Sequence, residues 1–90
     1  MVYLILTRRG FDDVRGNLAT HRSPVWLNFG LAKDEELADL RAGGVDVSTF
    51  TRRIDEQDAL AIESAAATVR QHHVNEVIRV EYPGNLGIST

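Results

Sequence analysis

The order of elements written into this 90-residue chain predicts an α/β domain built on a mostly parallel sheet. Three observations carry that expectation. Short apolar runs at residues 2–7, 25–29, 45–50 and 77–82 alternate with three segments of helical character. The alternation β-α-β-α-β-α-β requires crossover connections, which make neighbouring strands parallel and place helices on the sheet faces. The first run is apolar throughout, as strands covered on both faces are. Finally, Thr7-Arg8-Arg9 and Thr51-Arg52-Arg53 read almost alike, each leaving a strand run and each followed by acidic residues. The expected architecture is a small three-layer domain over residues 1–84, with a four-stranded sheet in the order 2-1-3-4 and a tail at 85–90.

Residues 2–7 form the first strand, broken by Arg8, Arg9 and Gly10. Asp12 or Asp13 offers an N-cap carboxylate to the next helix. Phe11, Val14 and Leu18 then recur at spacings of three and four, which puts one apolar stripe inward. This helix ends near His21, and Ser23-Pro24 closes the turn. Residues 25–29 are the second strand, carrying Trp26; Gly30 lets the chain turn. Asp34, Glu35 and Glu36 bring negative charge to a helix N-terminus, where the macrodipole favours it. Leu37, Ala38 and Leu40 give that helix its inward face, and Gly43-Gly44 stops it after about two turns.

Residues 45–50 form the third strand. Val45, Val47 and Thr49 alternate with Asp46, Ser48 and Phe50, so one face is partly wet. Asp55 and Asp58 resemble a capping box for the third helix, expected over residues 56–72. Its inward face is read as Leu60, Ile62, Ala65, Ala66 and Val69, with Glu63 and Arg70 opposite. Residues 77–82 are the fourth strand. Ile78, Val80 and Tyr82 alternate with Arg79 and Glu81, the period of an edge strand with one solvated face. An antiparallel fourth strand is the rival arrangement. Pro83-Gly84 ends the fold, and Leu86 and Ile88 in the tail are apolar enough to dock on a neighbour.

Composition narrows the function classes. With 43% hydrophobic and 26% charged residues the chain is neither disordered nor fibrous. A formal net charge of −3 supplies no global attraction to nucleic acid or to an anionic membrane. The absence of cysteine rules out disulfides, thiolate metal sites and cysteine nucleophiles. The apolar start has no basic region before it and is too short for a signal sequence or a membrane span, so a cytoplasmic location is expected.

The chemistry-bearing residues converge at one place. A parallel sheet brings Thr7, Arg8, Arg9, Thr51, Arg52 and Arg53 to its carboxyl edge, where open α/β sheets bind ligands. The loop after the second strand adds Asn28 and Gly30. Arginine forks match phosphate and carboxylate, and helix N-termini at this edge favour anions. The two Thr-Arg-Arg segments start about 5 Å apart if their strands are adjacent, and about 10 Å apart with one strand between. Against this, the following carboxylates, Asp12, Asp13, Asp55 and Asp58, can neutralise the arginines as surface pairs of little energetic weight. No P-loop and no GxGxxG follows the first strand.

No catalytic constellation stands out. The acidic pairs sit where caps are needed, and no nucleophile elbow surrounds Ser23 or Ser48. His72 and His73 diverge by about 100° on a helix, so they read as helix-end residues, and neither a metal nor a cofactor is expected. Trp26, Phe29 and Phe50 are read as core, while Tyr3 and Tyr82 are read as half exposed. These features fit a non-enzymatic interaction or regulatory module, with homodimerisation through the fourth strand or tail as one form of it. The alternative is a binder of a small anion, phosphate or nucleotide at the carboxyl edge. Enzymatic chemistry at that edge lacks a nucleophile or base, and nucleic acid and membrane are not expected partners.

Overall fold

The computed structural model describes residues 1–21 and 23–81. Seven elements follow in the alternation read above: β1 (Val2–Ile5), α1 (Arg8–His21), β2 (Val25–Leu27), α2 (Asp34–Ala42), β3 (Val47–Thr49), α3 (Ala59–His72) and β4 (Ile78–Glu81). All neighbouring strands are parallel, β4 included. The sheet order is β3-β2-β1-β4, which corrects the expected 2-1-3-4. Burial explains the difference. In β2, Val25 and Leu27 are buried on one face and Trp26 is half-buried on the other, so this strand suits the interior. β3 is three residues long with Thr49 exposed, which suits an edge. The expected order would have exchanged those positions.

Two apolar layers sandwich the sheet. On one face α3 packs Ala65, Ala66 and Val69 against Val2, Leu4 and Leu6, with Trp26, Phe50, Ile78 and Val80 at the margin. On the other, Phe11 and Leu18 of α1, with Leu37 and Leu40 of α2, cover Ile5, Val25, Leu27, Val45 and Val47. β1 therefore contributes to both cores, as its unbroken apolar run requires.

The helix starts differ from expectation. α1 begins a turn earlier than Asp12. Thr7 is its N-terminal cap: the Gly10 N–H donates to Thr7 Oγ1 at 3.1 Å, and the Phe11 N–H donates to the Thr7 carbonyl at 3.0 Å. Threonine is a good cap, so Asp12 and Asp13 fall inside the helix instead. α3 starts at Ala59 because Asp58 alone caps it, accepting from the Leu60 and Ala61 N–H groups. Asp55 instead closes its own turn on the Gln57 N–H at 2.9 Å.

α2 keeps its expected acidic first turn. It stops in a Schellman motif: Gly44 N–H donates to the Arg41 carbonyl and Val45 N–H to the Leu40 carbonyl, both at 3.0 Å. Gly44 takes the left-handed conformation this needs, at φ 90°. Three apolar assignments are overturned. Ala38 is exposed, and Leu37 and Leu40 carry the inward face of α2. Leu60 is 78% exposed, since at about 100° per residue it lies nearly opposite the stripe of Ala61, Ile62, Ala65, Ala66 and Val69. Phe29 is 55% exposed, because β2 ends at Leu27 and the chain has already turned. Tyr3 is half-buried. Tyr82, Pro83-Gly84 and the 85–90 tail lie outside the described residues.

Candidate functional site

The parallel sheet carries both Thr-Arg-Arg segments to its carboxyl edge, with β2 between their strands. They therefore start about 10 Å apart, the wider of the two spacings foreseen. A single side chain sets their relative position. Asn28, 4% exposed, donates from Nδ2 to the Leu6 carbonyl at 3.0 Å and to the Ile54 carbonyl at 2.8 Å. Its Oδ1 accepts from the Ile54 and Phe29 N–H groups, each at 2.8 Å. Leu6 precedes the first Thr-Arg-Arg and Ile54 follows the second. Asn28 is thus the rivet of the edge, and its amide has no capacity left for a ligand.

After Asn28 the chain makes a four-residue turn, in which Leu31 N–H donates to the Asn28 carbonyl at 3.3 Å. Gly30 occupies the third position with φ 73°, which a type II turn reserves for glycine. A Cβ there would meet nothing within 4 Å, so glycine is required by conformation and not by crowding.

Between these loops lies a cleft of about 330 Å³. Thr7 and Arg8 of the β1–α1 junction line it, together with Phe29, Gly30 and Leu31 of the β2 turn and Arg53 and Glu56 beyond β3. Of the eight residues singled out in the sequence, Thr7, Arg8, Asn28, Gly30 and Arg53 share this cleft. Thr51 and Arg52 line a neighbouring groove with Arg53, beside Phe50 and the Ala61–Ala65 side of α3. Arg9 is exposed and lines neither.

The arginines divide into two classes. Arg8 is spoken for: Nη1 and Nη2 grip both oxygens of Glu36 at 2.7 Å, and Nε lies 3.2 Å from Asp12. Arg15 approaches the same Glu36 at 2.9 Å. Both guanidinium groups also lie over the Phe11 ring, 5.3 and 5.1 Å from its centre. The side chain of Glu36, 13% exposed, accepts in addition from the Lys33 N–H at 2.9 Å, closing the first turn of α2. The Arg8 hydrogen bonds, reinforced by that backbone donor, lower the Glu36 carboxyl to about pH 2. This clasp joins α1 to α2 and offsets two positive with two negative charges.

By contrast, Arg9, Arg52 and Arg53 make no hydrogen bond or ion pair among the described residues. The first turn of α1 holds no acidic residue, so its positive dipole end faces the edge uncompensated within that turn. Sequence reasoning did not find Glu36 as the partner of Arg8, 28 positions away, nor Glu56 and Phe29 as walls of the cleft.

At the opposite edge, His72 and His73 serve Trp26. The indole Nε1–H donates to His73 Nε2 at 3.0 Å, and the His72 ring centre lies 5.1 Å from the indole. This bond needs His73 unprotonated at Nε2, which leaves Nδ1 facing Glu76 at 3.5 Å. Among the described residues no three potential metal ligands cluster, and no helix is long and apolar enough to cross a membrane. Compared with family models, curated proteins and solved structures, the chain matches none of them.

Proposed function

We infer that this protein is a non-enzymatic module that binds a small phosphate-bearing anion in the cleft at the carboxyl edge of its sheet. One observation carries this reading. Arg53, with no partner among the described residues, lines the same 330 Å³ cleft as the N-terminal junction of α1. An anion held there meets a guanidinium fork on one side and helix amides on the other. Arg8 contributes a wall; its fork is already closed on Glu36.

The test is an amide NMR titration of the whole chain with inorganic phosphate. Shifts confined to residues 7–11, 28–31 and 53–56, abolished by Arg53→Ala, are the expected result. Silence of those amides at millimolar phosphate refutes the reading.

Exposed Leu60, Val74 and Val77, each at least 70% accessible, favour a second reading as a self-associating module. Light scattering across a concentration series tests it. A monomer at all concentrations removes that reading.

A further inference from the structure

Two walls of the cleft have no role in holding a bare anion. Phe29 leaves more than half of its surface exposed, although a cluster of Trp26 and Phe50 lies within the same fold. Its backbone is not free to retract, because its N–H is bound to the buried Asn28 Oδ1. Glu56 lines the same cleft as Arg53, yet the two form no ion pair. A carboxylate at that place repels a simple phosphate and accepts hydrogen bonds from hydroxyl or amino groups. The volume is ample for a phosphate ion and lies at the small end of ligand sites generally.

Resting on the anion reading above, we propose that the ligand is a nucleoside monophosphate. Its base lies on the Phe29 ring, its phosphate meets Arg53 and the start of α1, and its ribose hydroxyls donate to Glu56. An aromatic face accepts any base, so recognition by Phe29 is tolerant of base identity.

The experiment is calorimetric titration of the whole chain with inorganic phosphate, ribose 5-phosphate and the four ribonucleoside monophosphates. The nucleotides are expected to bind roughly tenfold or more tighter than inorganic phosphate, the usual yield of one stacked base. Phe29→Ala lowers the nucleotides to the affinity of ribose 5-phosphate and leaves phosphate affinity unchanged. Glu56→Gln weakens ribose 5-phosphate and the nucleotides but not inorganic phosphate. Urea midpoints equal to wild type show that both variants are folded. Equal affinity for phosphate and nucleotides, or a nucleotide advantage over ribose 5-phosphate that survives Phe29→Ala, overturns this proposal and leaves the anion reading standing. Binding of neither refutes both.

Discussion

Replacing Asn28 by alanine tests the claim that this side chain holds the carboxyl edge together. The substitution strips four backbone groups of their partner. Phe29 N–H turns to water, since its residue is exposed. The Leu6 carbonyl and both polar groups of Ile54 stay behind in buried surroundings, at 2% and 9% exposure. At about 1 kcal/mol net for each of three lost bonds, the loss is about 3 kcal/mol. A 90-residue domain has about 5–13 kcal/mol in total, so the melting temperature drops by about 12–24 °C. Asn28→Asp is the sharper variant: it keeps the shape but aims a second acceptor at two carbonyls, and is expected to do at least as much damage. Urea denaturation with unchanged m-values is the assay. A loss below about 1 kcal/mol for both variants refutes the rivet.

Other outcomes follow from the same geometry. Glu36 has a folded-state pKa of about 2 against an ordinary 4.5. Its contribution is therefore complete above pH 4.5 and is lost as pH falls from there toward 2; thermal melts of Glu36→Gln show a shallower decline over that window. Phe11→Ala, at a fully buried position, costs about 3–5 kcal/mol by urea titration. Gly44→Ala forces a side chain into the left-handed region and costs about 1–2 kcal/mol, measured the same way. Arg52→Ala stays within about 0.5 kcal/mol of wild type, and a larger loss reveals a structural role for its exposed guanidinium.

What could be read from the residues was whatever is local in sequence. Alternating apolar runs and the double glycine after α2 located the elements, because periodicity and turn chemistry act over a few residues. The start of α1 was misplaced for a local reason as well: Thr7 ends a β-branched apolar run and caps a helix with the same side chain, while Asp12 and Asp13 look like caps. The strand order was out of reach, since nothing in α3 states which way its crossover runs. The clasp of Arg8 on Glu36 and three of the four bonds of Asn28 join segments more than 20 positions apart. The Thr-Arg-Arg repeat did lead to the carboxyl edge. Which arginines remain available there depends on carboxylates brought in by α2, and no spacing rule announces those.

The position of β1 has a further consequence, for how the chain reaches this fold. Val2 pairs with Ile78, 76 positions later. The strand that feeds both cores is made first, and one side of it stays open until the last strand arrives. Contacts so far apart in sequence close slowly, since the intervening chain must first be ordered. Meanwhile Val2, Leu4 and Ile5 lie along an open row of amides and carbonyls, a template for another copy in the same state. On the ribosome, the growing chain carries this exposed edge until β4 has been made and is free to pair. Its hazard lies in the schedule of synthesis, and a shortage of β4 would turn a well-packed domain into a sticky one.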